Sequence, residues 1–185
     1  ILDSIFVTAD FLPAYLMFGI VGYRSATLRK VMEARLKNAG TLMPNLSALR
    51  EEPIAAKRAI IALRIRNYSA VCASFATSVE DDLVTELARR LTLPGEAPTF
   101  YQAEDVLYWL APQLPMHELE EHLTGLAKLI EIQFVIQGRK VDIHAAFGVD
   151  MDLTRSISTR LGRALLAADN AAVKHQLVQF NTSEN

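Results

Sequence analysis

Two adjacent carboxylates, Glu104 and Asp105, interrupt an apolar and aromatic stretch that reads Thr99-Phe-Tyr-Gln-Ala-Glu-Asp-Val-Leu-Tyr-Trp-Leu-Ala111. The runs 99–102 and 106–111 on either side predict a tight β-hairpin with both acids at its tip. On its own, such a tip is a solvated acidic turn. Two arginines, Arg64 and Arg66, close the run Ala59-Ile-Ile-Ala-Leu-Arg-Ile-Arg66, whose continuous apolar character predicts a central strand. Their guanidinium groups suit a carboxylate or, alternatively, a phosphate or nucleotide. His117 and His122 accompany Glu118 and Glu121 on one predicted helix. Histidines five positions apart do not share a helix face, so this cluster reads as a solvated surface and not as a zinc site. His144 reads as a partly buried strand histidine. Cys72 has no histidine near it in sequence that would activate it as a nucleophile. Asp81 belongs to the acidic triplet Glu80-Asp-Asp82, which suits the positive end of a helix dipole, with Ser78 placed to cap that helix.

Around these residues the chain has 185 positions, 51% hydrophobic and 22% charged, enough for a sizeable core and outside the composition of disordered chains. The formal net charge of −2 supplies no field that would recruit nucleic acid. The single cysteine excludes an internal disulfide or a cysteine metal cluster, and points to the cytosol. The chain begins at Ile1 and finishes on a polar tail, so a piece of a longer protein is expected. Residues 5–23 are apolar apart from Thr8, Asp10 and Pro13, and Arg24, Arg29 and Lys30 follow. They read either as the end of a membrane span or as a helix packed on protein; Asp10 would be costly in lipid. No basic segment precedes them, so they are not a signal peptide. From Pro13 to about Asn38 the apolar positions Met17, Val21, Leu28, Met32 and Leu36 predict a long helix, packed on its own domain or forming a parallel dimer seam.

The domain reading is a signalling or membrane-proximal helix over 1–38, a globular domain over 39–180, and the start of a linker at 181–185. Within the globular part, the residues predict a turn at 41–45, a short helix at 46–51, the strand at 59–66 and a helix ending before Pro94-Gly95. The acidic hairpin comes next, then a helix from Pro115, a second hairpin over 134–149 turning at Gly138, and a last helix over 155–180. That order makes an α+β sandwich with a mixed, largely antiparallel sheet of five strands, flanked by helices.

This order, with its acidic first hairpin, resembles the GGDEF domain of diguanylate cyclases, a ferredoxin-type nucleotide-cyclase fold whose members condense two GTP into cyclic di-GMP at a dimer interface. The resemblance covers about residues 38–180. Asn38-Ala-Gly-Thr-Leu-Met-Pro-Asn45 is similar to the family's entry motif Asp-x-Leu-Thr-Gly-Leu-Pro-Asn, keeping Thr41, Pro44 and Asn45. Residues 60–91 lay onto the first strand and following helix. Ala103-Glu-Asp-Val-Leu107 occupies the signature Gly-Gly-Asp-Glu-Phe. Phe147-Gly-Val149 resembles the Ile-Gly-hydrophobic run of the second hairpin, and Ala168-Asp-Asn-Ala171 resembles the Ala-Asp-x-Ala of the last helix.

The departures from that pattern bear on function. A cyclase holds its metal ions with a carboxylate on the first strand and an acid in the signature turn, because Mg²⁺ requires hard oxygen ligands. Here Arg64 and Arg66 stand at the two acidic positions of the first strand, and an arginine repels a cation. Ala103 and Glu104 replace the glycines that let the backbone approach the triphosphate. Cys72 replaces the asparagine that reads guanine, while its partner acid survives as Asp81. Lys174 is out of register with the phosphate-binding lysine, which falls near Gln176. The product-inhibition motif Arg-x-x-Asp is absent from 94–97.

The resemblance therefore implies a catalytically inactive regulatory or dimerisation module, with Mg²⁺ not expected. In place of the metal it predicts an ion pair from Arg64 to Asp105 or Glu104. Asp81 and Asp105 remain as relics of nucleotide binding, and GTP as an allosteric effector is the alternative. Family relatives also imply a sensor upstream and a cyclic di-GMP phosphodiesterase domain of the EAL type downstream. That arrangement would make this a cytoplasmic segment of a bacterial signalling protein, in some cases anchored in the inner membrane. A purine-nucleotide cyclase on the same scaffold needs paired metal carboxylates, so Arg64 counts against that reading too.

Overall fold

The computed structural model describes residues 36–181. The predicted long helix, its dimer seam and the membrane-span reading lie outside the described residues, as do residues 182–185. From Asn38 onward the chain forms one compact unit. Helix α1 (Leu46–Glu51) is capped by Asn45, whose Oδ1 accepts from the backbone N–H groups of Ser47 and Ala48. A 3₁₀ turn (Pro53–Lys57) leads into β1 (Ile60–Ile65). Helices α2 (Tyr68–Ala73) and α3 (Glu80–Leu91) follow, then the hairpin strands β2 (Tyr101–Ala103) and β3 (Val106–Leu110). After helix α4 (Met116–Glu131) come the short strands β4 (Phe134–Ile136) and β5 (Arg139–Val141), then β6 (Ala145–Asp150), helix α5 (Ile157–Val173) and β7 (Val178–Asn181).

Five strands form the main sheet in the order β2-β3-β1-β6-β7, antiparallel except for the β6–β7 pair. The apolar run of β1 is therefore central, buried on both faces as its composition requires. Ile61, Leu63 and Ile65 pack with Leu83, Leu87 and Leu91 of α3 and with Leu119, Leu123 and Leu126 of α4. The alternate residues Ile60 and Ala62 pack with Leu161 and Ala164 of α5. That face of α5 is built from small side chains, Ala164, Ala167, Ala168 and Ala171, all fully buried, and Gly148 of β6 lies directly beneath them.

Several sequence readings are corrected. The last helix ends at Val173 and not near Phe180, because His175 adopts the left-handed backbone (φ 55) that terminates helices. Val178, Gln179 and Phe180 then run as the edge strand β7. The second hairpin is likewise shorter than read: β4 and β5 make a separate two-stranded sheet, and β6 belongs to the main one. The predicted count of five strands thus holds with a different membership. The N-cap of α3 is Val79; the Ser78 hydroxyl instead donates to Glu80 Oε2 at 2.8 Å. The short helix α2 and the 3₁₀ turn have no counterpart in the sequence reading, since neither is long enough to show a period.

A titratable lock follows β6. Asp152 is buried and accepts from the Thr154 hydroxyl at 2.6 Å and from Arg155 Nε at 2.8 Å. The Thr154 hydroxyl, then Arg155, hold its carboxyl down at about 2, below the ordinary 3.8. A depressed folded-state value stabilises the fold above the unfolded value and is lost as pH falls through the folded one. Stability is therefore expected to decline between about pH 4 and pH 2, and Asp152→Asn should remove that part of the decline in a urea-midpoint series across those pH values.

Candidate functional site

The hairpin turn is the two-residue link Glu104-Asp105, with Ala103 paired to Val106 across it. Glu104 adopts φ 51, a left-handed conformation unusual for a side chain with a Cβ. The N–H of Ile65 donates to the Asp105 carbonyl at 3.0 Å, tying the turn to the end of β1. In the sheet register Arg64 lies opposite Val106 on one side and Ala146 on the other, which brings its side chain beside the turn.

Arg64 joins two elements. Its Nε stands 3.4 Å from Asp105 Oδ2. Its Nη1 donates to both carboxylate oxygens of Asp169 on α5, at 2.8 and 2.9 Å. No ion pair joins Arg64 to Glu104 among the described residues; Glu104 is exposed, turned out by its left-handed backbone. Of the two predicted acidic partners, then, the structure places only Asp105 beside Arg64. The stronger contact is to Asp169, a residue that the sequence reading placed in a helix motif without assigning it a partner. The signal available was its position on a helix packed across β1, but which residue of that helix faces Arg64 is set by the packing. These side chains are 37%, 27% and 41% exposed, so each pair contributes only about 0.2–1 kcal/mol. Their consequence is positional: a fixed cation occupies the space between two carboxylates.

Tyr108 of β3 lies close to this group. Burial raises its hydroxyl to about 12; Arg64 pulls it down, while Asp105 and Asp169 push it up. On α2, Tyr68 is also raised to about 12, by burial first and then by Cys72, Glu80, Asp81 and Asp105. The two candidate nucleotide-binding acids, Asp81 and Asp105, thus both act on one phenol. Asp81 itself is exposed and rests over Gly40: a Cβ there would fall 1.7 Å from Asp81 Oδ2. Burial, then Glu80, push the Cys72 thiol above its ordinary value while Tyr68 pulls it down, and the net rise disfavours a nucleophilic thiolate. The entry segment is fastened to β2: Asn38 Nδ2 donates to the Gln102 carbonyl at 3.2 Å and the Thr41 hydroxyl to Gln102 Oε1 at 2.5 Å.

Among the described residues no three His, Cys, Asp or Glu side chains are grouped to hold a metal ion, and the pair of acids nearest the turn is bridged by a cation. His117 is exposed and lies 3.8 Å from Glu118, whereas His122 lines a cavity of about 430 Å³ beside residues 96–99. His144 is exposed, not partly buried, because it precedes β6 and does not lie within it. Tyr101, Tyr108 and Trp109 are buried, as the hairpin-core reading requires.

No family model and no curated protein matches the sequence. Solved structures do match the fold, and they are GGDEF domains. A diguanylate cyclase/phosphodiesterase from Caldicellulosiruptor saccharolyticus superposes with a TM-score of 0.66 at 11% identity, over 81% of this chain and 96% of that one. The GGDEF domain of DgcB from Caulobacter crescentus, in complex with c-di-GMP, gives 0.65 at 12% identity, over 78% and 95%. The S helix-GGDEF-EAL portion of LapD from Vibrio cholerae, bound to c-di-GMP, gives 0.68 at 12% identity, over 89% of this chain and 41% of that one. The described chain has the GGDEF-domain fold. Identities this low establish the fold alone.

Proposed function

We propose that this chain is a catalytically inactive GGDEF-type module of bacterial cyclic di-GMP signalling, one that relays movement to a neighbouring domain and does no chemistry itself. The observation that carries the reading is Arg64. The resemblance expects a metal-binding carboxylate at its position, and its guanidinium instead spans Asp105 and Asp169. A single arginine supplies a permanent positive charge beside the turn, and it needs no ion. Glu104, in place of a glycine, adds a carboxylate where a triphosphate would approach. The partners in this reading are a sensor before residue 1, an EAL-type phosphodiesterase domain after residue 185, and a second copy of the chain joined through the segment 1–38. The LapD structure, which joins GGDEF and EAL domains in one chain, supports that arrangement. The setting is the cytoplasmic side of a bacterial membrane, and no nucleic acid is involved. Among the described residues no helix is long and apolar enough to cross a membrane.

A second reading, a module that binds GTP or another nucleotide as an allosteric effector, is favoured by one observation: Asp81, the acid that the resemblance pairs with the guanine-reading position, is present and exposed. Calorimetric titration with GTP and with cyclic di-GMP, each with and without Mg²⁺, separates the readings. No heat and no thermal stabilisation is the result expected of a module that signals by contact. GTP binding without metal, lost in Asp81→Ala, would establish the effector reading. Metal-dependent binding with turnover would overturn both.

A further inference from the structure

At the end of the sheet away from the acidic turn, where β1 begins and β3 ends, lies the cavity of about 430 Å³ that His122 lines. That volume falls in the range of small-molecule pockets, roughly 300–1,000 Å³. Its apolar lining includes Leu91 at the end of α3, Leu126 of α4 and Trp109 of β3. Its charged lining comes from three separate segments, with Glu52 before the 3₁₀ turn, Arg58 after it and Glu96 in the link between α3 and β2.

Two aromatic residues mark this cavity as a built site. Tyr101 and Trp109 line it while being 5% and 3% exposed. A buried tyrosine hydroxyl or indole N–H ordinarily finds a hydrogen-bond partner. Among the described residues neither the Tyr101 hydroxyl nor Trp109 Nε1 has one, and neither atom is sealed by protein, so both open on the cavity. Burial, then Glu52, push the Tyr101 hydroxyl above its ordinary value, which keeps it protonated as a donor. Arg58 Nε donates to the Ala111 carbonyl at 2.8 Å, and among the described residues nothing engages its Nη1 or Nη2. The carboxylates of Glu52 and Glu96 likewise have no hydrogen bond or ion pair there.

We propose that this cavity binds a free α-amino acid with a large apolar side chain, its carboxylate held by Arg58 and the two aromatic donors and its ammonium by Glu52 and Glu96. A guanidinium fork matches a carboxylate, and charge-assisted bonds at both ends of the ligand are the strong ones. Leu91, Leu126 and the Trp109 ring would receive the side chain. Donors left unpaired in a buried wall select for a ligand that satisfies them and against the analogue that does not. A nucleotide phosphate is a poor fit, because two carboxylates face one arginine. Residues 94–97, where the resemblance expects the product-inhibition motif, read Pro-Gly-Glu-Ala and add an acid in place of an arginine. The inference does not depend on the regulatory reading above and uses none of its site residues.

Trp109 is the one tryptophan of the chain, so its indole N–H signal reports this cavity directly. The test is NMR titration of the 185-residue chain with L-phenylalanine, and with phenethylamine and 3-phenylpropionate, which each lack one of its charged groups. A saturable shift of the indole signal is expected, with phenylalanine binding at least tenfold tighter than the amine or the acid. Glu52→Gln together with Glu96→Gln should weaken phenylalanine at least tenfold and leave 3-phenylpropionate no weaker. Arg58→Gln should weaken phenylalanine by a similar factor and leave phenethylamine no weaker. Tyr101→Phe removes an unpaired hydroxyl and keeps the packed ring. It should weaken phenylalanine several-fold at an unchanged or higher thermal midpoint, and it carries the test if Arg58→Gln does not fold. Absence of a saturable indole shift would overturn the proposal. So would phenethylamine binding as tightly as phenylalanine, the mark of a simple cation site, or tighter binding of 3-phenylpropionate or cyclic di-GMP, the mark of an anion site.

Discussion

Asp150→Ala is expected to lower the unfolding free energy by about 3–5 kcal/mol, the largest single-residue effect anticipated outside the apolar core. Arg160 and Asp150 are both wholly buried, with Arg160 Nε 3.2 Å from Asp150 Oδ1. Arg160 also donates to the carbonyls of Ala55 and Arg58, at 2.8 and 2.5 Å, and Arg163 Nε reaches Asp150 Oδ2 at 2.7 Å. Removing the carboxylate leaves a guanidinium out of water with only neutral carbonyls to face, and breaking a buried pair costs far more than the pair's net worth. The exposed Arg64 pairs should lose an order of magnitude less per substitution. The double variant Asp150→Ala/Arg160→Met should recover much of the loss, since it removes the stranded charge along with its partner. Urea unfolding monitored by circular dichroism reads both variants. A loss under about 1 kcal/mol for Asp150→Ala would show that water reaches Arg160 and that the network is not sealed. This lock matters to function because it holds the start of β1 and the end of β6 against α5, and β1 carries Arg64 at its other end.

Gly148→Val is the second large effect. An added Cβ would stand 2.0 Å from the carbonyl oxygen of Ala164 and 2.2 Å from the backbone nitrogen of Ala168. Both atoms belong to the helix backbone, so no rotamer change relieves the overlap; α5 must lift from the sheet. Overpacking of this kind costs about 3 kcal/mol or more where the surroundings cannot yield. The same movement should carry Asp169 away from Arg64. The expected outcome is insoluble or strongly destabilised protein, and, where folded material is recovered, an NMR spectrum in which the Arg64 guanidinium signals have moved. An unfolding free energy in urea within about 0.5 kcal/mol of the parent would mean that α5 does not press on Gly148 as described.

The sequence by itself determined a good deal of this protein. The run 59–66 was legible as a central strand because continuous apolar character leaves no solvent-facing side. The helices α3 and α4 followed from leucines at three- and four-residue steps, and the hairpin from two apolar runs around one polar pair. Glu104-Asp105 as the tip, Arg64 as its neighbour and the GGDEF fold were readable from the order of these elements. Where the last helix stopped was not, because Lys174-His-Gln176 carries no glycine or proline to mark the break. The left-handed turn at His175 is held by bonds back into α5, and the strand after it exists because β6 offers an open edge.

The tertiary structure alone decided the partners. Whether Arg64 meets Glu104, Asp105 or Asp169 depends on a turn conformation and on the axial position of a helix 105 residues away along the chain. The buried Arg160–Asp150 network and the meeting of Glu52, Arg58 and Trp109 at one cavity depend on the same long-range placement. Secondary structure is written in local periodicity, which a single sequence displays. Charge pairing across elements is set by packing at ångström precision, which periodicity does not encode.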